Sequence, residues 1–97
     1  MRPERIEVSE DCAALRIQWP GGRAEEIPAS VLRAQARDAA SVRARIDHGG
    51  VTVAEGLTIT GVEAVGAMGV NLHFSDGHDR AIYPWPYLRE IADGLGN

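Results

Sequence analysis

Residues 70–83 read VNLHFSDGHDRAIY and contain the strongest structural signal in the chain. Apolar and polar residues alternate on both sides of Asp76-Gly77, a dipeptide that strongly favours a two-residue β-hairpin turn. In that register Leu72 lies opposite Ala81, and His73 lies opposite Arg80. Successive side chains of a strand point to opposite faces of a sheet. The face that we expect to join the core consists of Val70, Leu72, Phe74, Ala81 and Tyr83. The other face is polar apart from one isoleucine and consists of Asn71, His73, Ser75, His78, Arg80 and Ile82.

The N-terminal part of the chain predicts a second hairpin followed by a helix. Residues 4–19 alternate as two short strands. Pro20-Gly21-Gly22 is a turn, and a return strand at 24–27 completes the hairpin. Pro28 then opens a short helix that runs to about Arg37.

The remaining segments complete the predicted fold. Residues 38–56 are polar and irregular, although 39–46 could extend the helix. A strand follows at 57–65, where Gly61 predicts a bulge or a sharp twist. The C-terminal helix begins at Pro84-Trp85-Pro86 and has one apolar stripe. The predicted fold class is α+β, a small twisted antiparallel sheet of hairpins with one short central helix and a C-terminal helix.

Composition excludes several classes of protein. At 97 residues the chain fits a single domain, residues 1–97. Its one cysteine, Cys12, excludes an internal disulfide and a four-cysteine metal site. The net charge of −4 disfavours nucleic-acid binding. No apolar run is long enough to cross a bilayer, and no secretory signal is recognised, so we expect a cytoplasmic protein that binds no membrane.

Three stretches occur in an order that resembles a known family. They are LRIQW at 15–19 with IPASVLR at 27–33, VGAMGVNLHF at 65–74, and SDGH at 75–78 with IYPWPYLR at 82–89. Together they resemble the gamma-butyrobetaine hydroxylase-like N-terminal domain. The resemblance extends from about residue 4 to residue 92, which is nearly the whole chain.

The resemblance implies a set of expected properties. In the hydroxylases, such a domain precedes an iron- and 2-oxoglutarate-dependent catalytic domain. There it binds a structural zinc through a Cys-x-Cys-x-x-Cys cluster just after Leu-Arg, together with the hairpin histidine. Elsewhere the domain stands alone or is fused to P-loop ATPases that carry iron–sulfur clusters.

This sequence departs from the zinc pattern of the family. After Leu32-Arg33 the cluster positions fall on Ala36, Asp38 and Ser41, and only His78 is retained. One imidazole and one carboxylate cannot replace three thiolates and an imidazole around zinc. We therefore expect no metal and no cofactor. These 97 residues include no oxygenase domain, so no iron or 2-oxoglutarate chemistry is expected of them.

Candidate partner-binding residues lie on the polar hairpin face and at the start of the last helix. The histidines and the arginine offer hydrogen-bond donors, and interfaces favour exposed aromatic anchors. The alternative is that His78 only satisfies local hydrogen bonds after the turn and that Trp85 packs against the sheet. The five candidates are His73, His78, Arg80, Trp85 and Tyr87.

No catalytic residues are predicted. Ser75, Asp76 and His78 lie within four residues, but a tight hairpin directs these side chains to different sides, whereas a triad needs them aligned. Gly66 and Gly69 have no lysine nearby and lie between strands, unlike a phosphate-binding loop. The sequence therefore predicts that the chain is not an enzyme.

Three functions remain open. The leading hypothesis is a non-catalytic interaction or accessory module that binds another protein, with a family link to iron–sulfur or other metalloprotein biogenesis. The second is a non-catalytic subunit or regulatory partner of a 2-oxoglutarate-dependent oxygenase-type enzyme. The third is a small-ligand binding domain without a metal. The oligomeric state does not follow from the sequence.

Overall fold

The computed structural model describes residues 2–22, 24–37, 39–49 and 53–95. Six strands and three helices form in these ranges. The strands are β1 (Arg5–Val8), β2 (Ala14–Gln18), β3 (Ala24–Pro28), β4 (Ile59–Val65), β5 (Gly69–Phe74) and β6 (Ala81–Pro84). The helices are α1 (Ala29–Ala34), α2 (Ala39–His48) and α3 (Trp85–Leu95). The α+β class predicted from the sequence is confirmed.

The strands form two antiparallel sheets of three strands each, in the orders β1-β2-β3 and β4-β5-β6. The predicted hairpins are present, but they lie in two sheets and not in the single sheet expected from the sequence. The chain passes from β3 straight into α1, and two helices separate β3 from β4. The sheets are connected instead by a backbone hydrogen bond, in which the N–H of Ile59 donates to the carbonyl oxygen of Cys12 at 2.8 Å.

The register of the decisive hairpin is confirmed within the strands. Leu72 pairs with Ala81, and Val70 pairs with Tyr83. All four side chains are at most 4% exposed, as expected for the core face. The bulge expected at Gly61 is present as a shift of register in β4 between Ile59 and that glycine.

The turn differs from the expected two-residue loop. The N–H of Phe74 donates to the carbonyl of His78 at 2.8 Å, and the N–H of Gly77 donates to the carbonyl of Phe74 at 3.1 Å. This pattern closes a three-residue loop, Ser75 to Gly77, with the glycine at φ 89°. It is the type of hairpin that ends in a glycine bulge.

The three-residue loop changes the place of His73. The ladder between β5 and β6 ends at Leu72 and Ala81, so the expected pairing of His73 with Arg80 is wrong. His73 pairs instead with Gly61 on β4, and Arg80 lies before the first residue of β6. The extra residue of the loop shifts the strand out of register next to the turn.

The helical segment after β3 is divided in two. Helix α1 ends at Ala34, earlier than expected, and α2 begins at Ala39 as a separate helix. Within α2, Ser41 is buried at 2% exposure, whereas Val42 and Ile46 are exposed at 38% and 75%. The serine therefore faces the protein and the large aliphatic side chains face outward.

One core cluster joins both sheets to α1 and α3. Its largest members, each at most 2% exposed, are Trp19, Tyr83, Phe74, Leu15, Ile17, Ile27, Leu32, Ile59, Leu72 and Leu88. In the described part of the chain, no helix is long and apolar enough to span a membrane.

Candidate functional site

The second sheet has one face that is turned away from the core, called here the outer face. Strand pairing places its residues in rows across the three strands. From one end of the sheet to the other, the outer face consists of Gly61 and His73, then Glu63, Asn71 and Ile82, then Val65, Gly69 and Pro84.

One half of the outer face is polar, and its side chains form hydrogen bonds with one another. The Nε2–H of His73 donates to a carboxylate oxygen of Glu63, and Asn71 lies 3.5 Å from the same oxygen. The hydrogen bond from His73, the charge of that imidazole and the hydrogen bond from Asn71 hold the pKa of the Glu63 carboxyl below its usual value. Asn71 also bonds the backbone beside β6, since its Oδ1 accepts the N–H of Ala81 at 2.9 Å.

The other half of the outer face is apolar. Val65, Met68 and Ile82 are 38%, 75% and 52% exposed. Val65 and Pro84 flank Gly69, which has no side chain to separate them. A Cβ at Gly69 would collide with the backbone of Tyr83 and Pro84. The glycine is therefore required where β5 and β6 approach most closely.

Three aromatic residues around the start of α3 each donate a hydrogen bond to a backbone carbonyl. The indole N–H of Trp85 donates to Ala67 at 2.8 Å, in the turn between β4 and β5. The hydroxyl of Tyr83 donates to Leu32, and that of Tyr87 donates to Gln35 at 2.5 Å. The motif Tyr-Pro-Trp-Pro-Tyr therefore fixes the end of α1 and the β4–β5 turn.

The structure brings together only part of the predicted site. His73 lies on the outer face, and the half-buried Trp85 bonds the turn beside its apolar half. Arg80 is exposed between the hairpin turn and β6, and His78 follows the turn, where its N–H donates to Oδ1 of Asp76 at 2.9 Å. Tyr87 is 8% exposed, so it offers little surface as an anchor.

The burial of Tyr87 has a clear cause. The guanidinium of Arg37 lies 3.4 Å from the centroid of its ring, and the Tyr83 ring stacks 6.1 Å away. Its hydroxyl is held by the residue that follows α1. Sequence reasoning placed Tyr87 with Trp85 because both open the same helix, but positions two apart on a helix do not face the same way.

The apolar half of the outer face contains residues that sequence reasoning did not select. Ile82 was the one apolar residue on the predicted polar face, which was a usable signal. Val65 and Met68 gave no such signal, because their positions at this end of the second sheet depend on the pairing of β4 with β5 and on the tight turn between them.

The described residues contain no group of three or more His, Cys, Asp or Glu side chains placed to hold a metal ion. Of the zinc positions implied by the family resemblance, Ala36 is fully buried and Ser41 is 2% exposed. Asp38 lies outside the described residues. The family's zinc does not fit these residues, since a methyl group replaces one thiolate and a hydroxyl replaces another.

Two open grooves lie away from the outer face. One, of about 320 Å³, lies on the first sheet and is lined by Arg5, Glu7, Arg16, Ile17, Gln18, Ala24, Glu25 and Glu26. The other, of about 300 Å³, lies between α1 and α3 and is lined by Val31, Gln35, Tyr87, Glu90, Ile91 and Gly94. Both volumes are at the lower limit for small-molecule sites.

Solved structures share this fold. The chain is 30% identical to a crystal structure of a protein of unknown function from Acidithiobacillus ferrooxidans, assigned to the DUF971 family, with a TM-score of 0.73 over 94% of this chain and 92% of that one. A protein solved by NMR gives a TM-score of 0.76 at 25% identity, over 97% of this chain and 70% of that one. Another NMR structure gives 0.69 at 26% identity, over 98% and 77%.

The family assignment rests on a match of the sequence to a family model. No match was found among the curated proteins. The family model described as gamma-butyrobetaine hydroxylase-like, N-terminal, matches residues 6–89, which include both sheets except the first residue of β1. The chain therefore belongs to the gamma-butyrobetaine hydroxylase-like N-terminal domain family.

Proposed function

We propose that this domain is a non-catalytic binding module whose protein partner contacts the outer face of the second sheet beside the start of α3. The observation that carries the proposal is the exposure of three large apolar side chains: Val65 and Ile82 on that face, and Met68 in the adjoining β4–β5 turn. Large aliphatic side chains grouped in this way lose contact with water when a partner covers them, which favours association.

The apolar half is held in one conformation before binding. The N–H of Trp85 donates to the carbonyl of Met68 at 3.0 Å, and its indole N–H donates to Ala67. These two bonds fix the β4–β5 turn against the first residue of α3. Because the turn is already ordered, binding of a partner costs less conformational entropy.

The polar half supplies a rim for the same interface. His73 and Glu63 form a hydrogen-bonded pair whose side chains are 34% and 63% exposed. Arg80 is also exposed. A partner that buries the apolar half would contact these groups at the edge of the interface. Polar contacts there contribute more to specificity than to affinity.

The contacts of the hairpin turn favour a non-catalytic role. The Oγ of Ser75 accepts the N–H of Thr58 at 2.9 Å. The carboxylate of Asp76 accepts Nε–H of Arg33 and the N–H of His78. Ser75 and Asp76, two of the three residues that could have formed a catalytic triad, therefore use their side chains in structural hydrogen bonds.

The partner that we propose is a cytoplasmic protein of iron–sulfur or other metalloprotein biogenesis. This choice rests on the family resemblance alone. The alternative partner is the catalytic subunit of a 2-oxoglutarate-dependent oxygenase-type enzyme, which rests on the same resemblance. A small-ligand binding role would use the groove between α1 and α3, about 300 Å³ in volume.

The experiment compares two equally exposed apolar side chains. Met68 and Ile46 are each 75% exposed, but Met68 lies in the β4–β5 turn beside Val65 and Gly69 of the outer face, whereas Ile46 lies in α2. A tagged chain is used to isolate a partner, and its affinity is measured for wild type, Met68→Glu and Ile46→Glu. We expect Met68→Glu to weaken binding by about tenfold or more, which corresponds to roughly 1.4 kcal/mol, and Ile46→Glu to bind as wild type does.

The comparison can also reject the proposal. Equal affinity of Met68→Glu and wild type, with both variants folded, would place the interface elsewhere. A partner lost only on Ile46→Glu would assign the interface to α2. Binding of a small molecule that shifts NMR signals of α1 and α3 alone would favour the ligand-binding role.

A further inference from the structure

The side chain of Arg33, in the last turn of α1, contacts two other parts of the fold. Its Nε–H donates to Oδ2 of Asp76 at 3.0 Å, across 43 positions of sequence. Its Nη1 donates to Oγ of Ser41 in α2 at 3.0 Å. A single guanidinium therefore bonds both the hairpin turn and the second helix.

This contact is largely withdrawn from solvent. The side chains of Arg33 and Asp76 are 13% and 21% exposed, and Ser41 is 2% exposed. By contrast, Arg16 and Glu26 form a pair at 3.1 Å in which both side chains are 53% exposed. Hydrogen bonds between charged groups stabilise more when water competes less for them.

The three elements joined by Arg33 are those that the family's zinc would join. The zinc positions fall after α1, in α2 and at His78, beside the turn. In this chain the hydroxyl of Ser41 accepts a hydrogen bond from a cation, and a guanidinium next to that oxygen would repel a divalent metal ion.

We propose that Arg33 replaces the structural metal in this chain, linking α1, α2 and the β5–β6 turn through its hydrogen bonds to Ser41 and Asp76. The carboxylate of Asp76 neutralises the guanidinium and is itself positioned by the N–H of His78. A link of this kind uses two donors of one rigid planar fork, a geometry that arginine has and lysine lacks.

The state of Asp76 agrees with this role. Burial alone would raise the pKa of its carboxyl, but the hydrogen bond from the N–H of His78 and the contact with Arg33 together hold it below the ordinary value. The carboxylate therefore stays ionised at neutral pH, as the link requires.

The test uses matched substitutions of two arginines. Arg33→Met keeps the aliphatic stem and removes the guanidinium, and Arg16→Met does the same at the exposed pair. We expect Arg33→Met to lower the Tm by roughly 5–10 °C and Arg16→Met to leave it nearly unchanged. Backbone amides of α2 should exchange with solvent faster in Arg33→Met only, because α2 then keeps its bond from Nη1 of Arg45 to the carbonyl of Ala34 but loses the one from Arg33 to Ser41.

Metal content of the wild-type chain gives a measurement that does not depend on a folded variant. We expect no stoichiometric zinc in the purified protein and the same Tm with and without a chelator. One zinc per chain, together with a Tm that falls on chelation, would overturn the proposal. So would equal Tm values and equal α2 exchange for the two methionine variants.

A reconstruction completes the test. The variant Arg33→Met with Ala36→Cys, Asp38→Cys and Ser41→Cys removes the cation, supplies three cysteines at the family's cluster positions and retains His78. We expect this variant to bind zinc and to recover slow exchange in α2. If Arg33 opposes a metal, the same three cysteines with Arg33 retained should bind zinc more weakly, and equal affinity would contradict that part of the proposal.

Discussion

The peptide N–H of Ile59 donates a 2.8 Å hydrogen bond to the carbonyl oxygen of Cys12. Ile59 is the first residue of β4, and Cys12 lies in the turn between β1 and β2. This bond connects the two sheets where no strands pair. The carbonyl belongs to a residue with φ 61°, a conformation that non-glycine residues rarely adopt.

The conformation of Cys12 predicts the effect of replacing it. Cys12→Asn should keep or raise the stability, by up to about 1 kcal/mol, because asparagine tolerates positive φ. Cys12→Val should lower it by about 1–2 kcal/mol, because a branched Cβ crowds the backbone there. Urea denaturation measures both, and a valine variant as stable as wild type would contradict the backbone conformation.

The hairpin turn predicts a difference between two glycines. Gly77→Val should destabilise the fold by roughly 1–3 kcal/mol, because Gly77 has φ 89° in the loop. Gly94 lies in α3, and a Cβ added there would meet no atom within 4 Å. Gly94→Ala should therefore raise stability, by up to about 1 kcal/mol. Thermal unfolding of both variants tests the turn, and an unchanged Tm for Gly77→Val would place the turn elsewhere.

The hydrogen bond made by the Tyr83 hydroxyl predicts that removing this hydroxyl lowers the stability of the domain. Tyr83→Phe should destabilise the domain by about 0.5–1.5 kcal/mol, because the hydroxyl donates to the carbonyl of Leu32 inside the core. Tyr87→Phe is the matched control, since its hydroxyl donates to the more exposed Gln35. Tyr87→Phe should lower the free energy of unfolding by less than Tyr83→Phe does. A larger decrease for Tyr87→Phe in chemical denaturation would contradict this prediction.

The stability of the domain should depend on pH in the acidic range. The pKa values of the Asp11, Glu63 and Asp76 carboxyls are all lowered in the fold, chiefly through hydrogen bonds from Ser9 for the first and from His73 for the second. In the acidic range, unfolding therefore takes up protons. The stabilisation is present above the ordinary carboxyl pKa of about 4 and is lost as the pH falls through the lower folded values.

The measurement is Tm between pH 7 and pH 3. We expect the Tm to fall below about pH 4.5 in wild type and to fall less steeply in Glu63→Gln, which cannot take up this proton. A Tm that stays constant down to pH 3, or an equal slope in the variant, would contradict the contribution assigned to Glu63.

The local pattern of apolar and polar residues was sufficient to predict the hairpins. It was insufficient to predict how the hairpins are arranged in sheets. The alternation from Val70 to Tyr83 predicted the core face because side chains alternate strictly along strands. It could not distinguish a two-residue turn from a three-residue one, since Asp76-Gly77 suits both. Periodicity also does not encode which strands pair, so it could not predict that β1–β3 and β4–β6 form separate sheets.

The orientation of α2 and the apolar half of the outer face could not be predicted from the sequence for a similar reason. Among the α2 side chains that the structure describes, Ser41 is buried and Ile46 is exposed, which is the reverse of the usual pattern. The burial of Ser41 follows from its bond to Arg33, whose other partner is 43 positions away. Val65 and Ile82 share one face of the second sheet only because β4 and β6 pair on either side of β5.

The link through Arg33 changes which conditions would loosen the domain. A zinc held by thiolates is released when those thiolates are oxidised or when a stronger chelator competes for the metal. A guanidinium–carboxylate contact has no such sensitivity, but added salt screens it and acid removes its negative partner. The order of this domain would then follow ionic strength and acidity, and would be independent of zinc supply and oxidative stress.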